Sequence, residues 1–343
     1  MTTTQPERPA GQPAVQSASQ LAARRRRAGR ARAWRQFRSS RSGMAGLVIL
    51  LLFILIAVCA PLLAPAEGLE VTKATGGVLE PPSREFWLGT DDNGRSVLTQ
   101  LIWGARISLF VGLMATLISM LIGTSIGLLS GYFGGWAGAS LFRMTEWFLA
   151  IPFLPLAIVL ATVLGRSLFN IVLVIGVTSW ASTALLIRSQ TLSIKERAYL
   201  ERSRALGAGH GHLMRRHVLP NVMPMVFANT TLSVAIAILT ETTLSFLGLG
   251  DPTRVSWGSM LDDAYSVGAI TTGSWWFFVP PGVCVVLVVL AFTMIGAALD
   301  EVFDPRLRRR HGVTLTGAEN VLTVEVARRP EEAEGVPSSV GDP

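Results

Sequence analysis

Three stretches of this chain carry no charged residue: Ala45–Leu63, Ile107–Leu129 and Val283–Leu299. As a helix, each is long enough to cross about 30 Å of hydrocarbon. Backbone N–H and C=O groups find no water there, so a spanning segment must satisfy them internally. The alternative is a large soluble α/β enzyme with buried strands, and the length of the runs decides against it.

Composition agrees. Only 15% of the residues are charged, 50% are hydrophobic and mean hydropathy is +0.46. The charged share of a soluble domain is about a quarter. Six spans fit, near 44–64, 102–131, 140–164, 168–188, 222–248 and 278–300. The expected fold is an all-α integral membrane protein. The second run exceeds a minimal span, so it tilts or begins outside the lipid. Pro152 and Pro155 fall in the third. A proline in a membrane helix frees a carbonyl, which either kinks the packing or opens a polar spot beside a translocation path.

Basic residues give the array a direction. Of the 30 Lys and Arg, ten precede residue 44, among them Arg24–Arg27, Arg30, Arg32, Arg35, Arg38 and Arg41. Such a run can mark a nucleic-acid patch. Directly before an apolar helix it reads more simply as a topology signal that also meets anionic lipid, and no nucleic-acid partner is expected. Arg143, Arg188, Lys195, Arg197, Arg202, Arg204, Arg215, Arg216 and Arg306–Arg310 share that side; the other side carries only Lys73, Arg84, Arg95, Arg166 and Arg254. The positive-inside rule then places both termini in the cytoplasm, with 65–100 and 249–276 outside. Residues 1–43 are expected to form a basic cytoplasmic segment, disordered at its start and lying on the membrane surface near 21–42. Residues 305–343 form a cytoplasmic tail. The region before the first run is too long for a secretory n-region, so that run is read as a retained helix.

Cys59 and Cys284 lie inside apolar runs and read as small hydrophobes. His210, His212 and His217 have no acid or Cys nearby to complete a coordination set, so no metal site is expected. Gly123, Gly127 and Gly131 recur at four-residue spacing. Such a face brings helices close, within the chain or against a partner.

The most informative segment is polar and lies between two apolar spans, in a loop over 189–221. Glu196–Leu206 reads as a short amphipathic helix, with Ala198, Leu200, Ala205 and Leu206 toward protein and Glu196, Arg197, Glu201, Arg202 and Arg204 toward water. Gly207 and Gly209 end it. Tied to a transmembrane helix at each end, such an element is a lever. A solvated loop held by its own charge pairs is the blander reading.

The stretch Glu201–Gly207, closing on Leu219-Pro220, resembles the EAA loop of bacterial ABC importer permeases; Arg202-Ser203 stands where that motif has Ala-Ala. Ala198–Glu201, Arg204–Ala208 and His217–Asn221 resemble the second permease subunit of the dipeptide/oligopeptide/nickel permease family. Trp87–Asp91 with Gly94-Arg95, Gly104–Leu109, Gly131–Gly135, Leu244–Gly250, Ser256–Met260 and Asp304–Arg306 are similar to it in the same order. The likeness covers about 43–308.

The resemblance implies a type I ABC importer permease fold over 44–304, in a bacterial cell membrane, with the loop helix coupling to an ATPase. Arg197, Glu201, Arg202, Ser203, Arg204, Ala205, Leu206 and Gly207 would make that contact. It also implies a homologous second permease, one or two ATPase subunits and an extracellular or lipid-anchored substrate-binding protein. The chain itself would be non-catalytic and hold no cofactor. A P-loop needs a lysine after a glycine-rich turn, and neither Lys73 nor Lys195 has that setting. ATP and Mg would therefore sit on partners. The substrate would be a peptide, nickel or a similar small solute.

Glu241 lies within the fifth run, where an acid is costly. Either it faces the translocation path or a subunit interface, or it is hydrogen-bonded by Thr240, Thr242 and Thr243. An ion-coupled carrier using Glu241 is the alternative function. A membrane-embedded enzyme is disfavoured, because the spans hold no paired carboxylates, metal set or nucleophile elbow. Asp91, Asp92 and Arg95 either receive the binding protein or cap the helix starting near Ser96.

Overall fold

The computed structural model describes residue 31 and residues 33–303. The expectations for the start of the basic segment and for the 305–343 tail lie outside the described residues. Helix α1 spans Arg41–Leu63 and is capped by the Ser40 side chain, which accepts from Gly43 N. Helix α2 spans Val97–Tyr132, capped by Ser96 through Thr99 N. There follow α3 (Gly135–Ala150), α4 (Phe153–Leu164), α5 (Leu168–Thr178), α6 (Trp180–Lys195) and the short α7 (Ala198–Ala205). The chain then forms α8 (His210–Leu213), α9 (Leu219–Leu244), α10 (Trp257–Ser266) and α11 (Trp275–Phe303). The described residues contain no strand, only an isolated bridge between Thr90 and Ser96.

Five elements are long and apolar enough to cross a membrane: Arg41–Leu63, Val97–Tyr132, Leu168–Lys195, His210–Leu249 and Trp275–Val302. A sixth exists only if the α3–α4 pair counts as one span. The outward faces of these helices are apolar, with Val48, Leu51, Leu55, Val58 and Leu62 exposed along α1. That pattern suits lipid rather than water. At 1.5 Å per residue α2 is about 54 Å long, well beyond the hydrocarbon core. It begins at Val97, before the expected start near 102.

The run near 140–164 is not one straight helix, contrary to expectation. Helices α3 and α4 meet at 88°. A proline disfavours helical geometry in the residue before it, and Ile151 is extended at φ −81°, ψ 127°. Pro152 becomes the N-cap of α4 and Pro155 falls in its first turn. A missing N–H costs nothing there. Neither proline interrupts a continuous ladder.

Helices α2 and α6 pack closely along a glycine face. A Cβ on Gly123 would lie 2.7 Å from Trp180 O, and one on Gly127 2.5 Å from Ala184 O. On Gly131 it would lie 2.8 Å from Thr191 Cβ. The small-residue face is thus filled within the chain.

The start of α1, the end of α11 and α7 mark one end of the bundle, called proximal; residues 64–96 and 250–274 mark the distal end. At the proximal end Leu200, Leu213, Ile187, Val218 and Val222 form a buried cluster. At the distal end Phe53, Trp257, Met260, Phe277 and Val288 form another. Helix α10, in the segment expected outside the membrane, is held there by its apolar face. Trp257, Met260 and Ala264 follow helical spacing and are fully buried. Ser256 and Ser259 cap it reciprocally.

Candidate functional site: the proximal helix–turn and its links through the bundle

The loop between α6 and α9 is built on one anchor. Leu200 of α7 is fully buried in the proximal cluster. Ala198, Ala205 and Leu206 are exposed, not packed on protein as expected, and Leu206 is 89% exposed. Of the eight residues of the helix only Leu200 is buried. Arg197 is its N-cap rather than part of it. Glu201, Arg202 and Arg204 point to solvent, and Ser203 donates to Tyr199 O at 2.9 Å. Among the described residues, Glu201 forms no ion pair.

The end of α7 is set by Gly207. Its φ of +85° is left-handed, a region a side chain disfavours by roughly 1–2 kcal/mol. Gly207 N donates to Arg204 O at 2.9 Å and Ala208 N to Ser203 O at 3.1 Å. Those two bonds are a Schellman closure. Beyond it the chain turns into α8, leaving a concavity of about 420 Å³ between Leu206 and His217.

Both flanks of the loop are tied to the bundle. Tyr132, ending α2, hydrogen-bonds His210 Nδ1 at 3.0 Å. Asn221 Nδ2 donates to Tyr199 OH at 3.4 Å and to His217 O at 2.6 Å. The entry to α9 widens into a π-turn over Met214–Val218. Pro220 follows directly; its ring would crowd the carbonyl four residues back, and the wider turn relieves that. From His210 to Leu249 the chain is one helical path, reaching the distal end.

Glu241 sits near the distal end of that path and is 1% exposed. Its partners are not the neighbouring threonines. Ser108 of α2 donates to Oε2 at 3.0 Å and Ser245 to Oε1 at 2.9 Å. Thr240 and Thr243 instead donate to Ile236 O and Leu239 O. Ser108 Oγ also accepts from Trp257 N at 3.3 Å. Glu241 therefore joins α2, α9 and α10 and lines no open path here. Nothing local pointed to Ser108, which is 133 residues away in sequence.

Asp91 is likewise internal. It is fully buried, and its Oδ1 accepts from Asn93 N at 2.9 Å and Arg95 N at 2.7 Å. Its Oδ2 accepts from Arg95 Nε at 2.7 Å and Gln100 Nε2 at 2.8 Å. It organises the distal loop and is not presented on the surface, and the cap of α2 is Ser96 rather than an acid. Asp92 is partly exposed; burial pushes its carboxyl up, with Asp91 adding to the shift.

The structure is thus a bundle of membrane-crossing helices with a polar helix projecting between two of its spans. The chain belongs to the family described as binding-protein-dependent transport system inner membrane component, which matches residues 123–309. The N-terminal TM domain of oligopeptide transport permease C matches residues 30–82. The chain is 38% identical over 256 residues to the dipeptide transport system permease protein DppC of Bacillus subtilis, covering 74% of this chain and 79% of that one. It is 36% identical over 232 residues to the oligopeptide transport system permease protein OppC of the same organism, covering 67% and 75%. A solved structure of the MetNI methionine ABC transporter, in inward-facing form, aligns at a TM-score of 0.48 and 18% identity, covering 60% of this chain and 94% of that one. The resemblance read from the loop and its companion motifs is therefore correct.

Proposed function

We propose that this chain forms half of a translocation pathway for peptides and is driven by ATP hydrolysis on separate subunits. The observation that carries the coupling is Leu206. It is an apolar side chain 89% exposed at the C-cap of a Schellman-closed helix, flanked by charged side chains. A partner cleft that takes Leu206, with Glu201, Arg202 and Arg204 at its polar rim, explains both features. Force on α7 would pass through Tyr199 and Asn221 into α9, and through His210 into α2.

In this reading the proximal end is cytoplasmic, as are both termini, and the membrane is the bacterial inner or plasma membrane. ATP and Mg belong to one or two ATPase chains. A second, homologous permease completes the pathway, and a binding protein delivers substrate at the distal end. Peptides are the proposed cargo because the similar chains are named for dipeptide and oligopeptide transport.

Reconstitution with the cognate subunits tests this. Peptide uptake should survive ionophores and stop without ATP. Gly207→Val should insert normally yet lose at least tenfold of its co-purifying ATPase and its uptake. Uptake that ionophores abolish and ATP does not affect would sink the proposal, as would unchanged ATPase association in the variant.

A further inference from the structure

At the distal end a cavity of about 770 Å³ opens between α2, the turn after α4, the end of α9 and α10. Its size falls within the roughly 300–1,000 Å³ typical of small-molecule sites. Charged side chains of both signs line it, Arg95 and Asp251 among them. Arg106, Arg166 and Arg254 line it, and among the described residues none of them forms an ion pair. Asp262 and Asp263 of α10 line it as well.

Opposite charges facing one cavity would ordinarily close on each other. Here they stay apart at Gly248. Arg166 Nη2 and Asp262 Oδ2 lie 4.0 and 3.7 Å from where a Cβ on Gly248 would stand, without pairing. Gly248 has a left-handed φ of +74° at the π-turned end of α9. It supplies no side chain between them.

The acids of α10 are both partly desolvated and close to other carboxylates. Burial pushes the Asp263 carboxyl up to about 6; Asp92, Asp262 and Asp91 add to this and Arg95 opposes it. Arg95 itself is committed to Asp91 at 2.7 Å. One Asp92 carboxylate oxygen is buried without a hydrogen-bond partner. A cation entering beside Asp263 would relieve this crowding. Asp251, by contrast, is already satisfied. Burial raises it, but the Thr253 hydroxyl and amide, the Leu168 amide and the charge of Arg254 outweigh that and hold it below the usual carboxylate range.

We infer that this cavity binds a zwitterionic solute, its carboxylate held by Arg106, Arg166 and Arg254 and its ammonium by Asp262 and Asp263. Planar guanidinium donors suit a carboxylate bidentately. A short peptide with both termini free is such a solute, so the assignment rests on the peptide-import reading. It makes the distal cavity a reception site that reads peptide termini rather than side chains.

The test uses the permease complex in nanodiscs without its binding protein, titrated with Ala-Ala and followed by saturation-transfer NMR. Wild type should bind Ala-Ala at least tenfold more tightly than its C-terminal amide or its N-acetyl form. Arg166→Ala with Arg254→Ala should lose at least tenfold in affinity for Ala-Ala, and the Lys versions should recover part of it while assembling normally. Asp263→Asn should weaken Ala-Ala but not the N-acetyl form. No binding by wild type, equal binding of blocked peptides, or unchanged affinity in the Arg variants would each overturn the inference. So would Arg variants that weaken only capture of the substrate-free binding protein, since the cavity would then be a docking surface. The import reading fails separately, if wild type with its binding protein shows no ATP-dependent peptide uptake.

Discussion

Glu241 and Asp263 are acids set in different surroundings. Glu241 is enclosed by Ser108 and Ser245 and so bonds α2 to α9. Removing its oxygens would leave two buried hydroxyls without an acceptor, at about 1–3 kcal/mol each. Glu241→Leu should therefore lower stability by several kcal/mol in a detergent melting experiment, with Glu241→Gln, which keeps one acceptor, losing clearly less. Equal losses would show that the hydrogen bonds do not matter. At Asp263 the carboxyl itself is shifted. Its folded value of about 6 lies above the 3.8 of an unperturbed Asp, chiefly because burial disfavours the charged form. The native state then binds the proton more tightly than the unfolded chain. The contribution to stability is full below about pH 4 and is lost as pH rises through 6. Melting temperature should fall between pH 4.5 and 7 in the wild type, and Asp263→Asn should flatten that slope.

Among the elements, the α3–α4 break and α7 are the ones whose shape follows from single residues. Pro152 forbids Ile151 a helical conformation, and the two helices part at 88°. Restoring helical geometry would straighten them. In a continuous helix, spin labels at Ala139 and Val163 would stand about 36 Å apart, against about 25 Å across the right-angled bend. Pro152→Ala with Pro155→Ala should shift the measured distance distribution toward the longer value; an unchanged distribution would assign the bend to packing instead. The end of α7 was readable from Gly207 alone, because a left-handed closing residue favours glycine. Its buried face was not readable. Four apolar residues gave a plausible stripe, but in eight residues only Leu200 reaches the core.

For the whole molecule, the spans and their direction rest on apolar length and arginine placement, both local properties. The proposed sidedness can be checked after replacing Cys59 and Cys284. Arg84→Cys should react with an impermeant maleimide added to intact cells. Gly209→Cys, where a new Cβ meets nothing within 4 Å, should react only after permeabilisation. The reverse pattern would invert the topology. By itself the sequence determined that the chain crosses lipid as helices, where the polar loop lies and which family it belongs to. Each of these depends on runs and spacings within a few dozen residues. Only the tertiary structure decided what Glu241 touches, that the glycine face of α2 is filled by α6, and that α10 closes a cavity lined by both charges. Those are contacts between segments up to 156 residues apart, such as Trp257 Nε1 on Leu101 O. Such contacts depend on how the helices pack, and no local pattern encodes that.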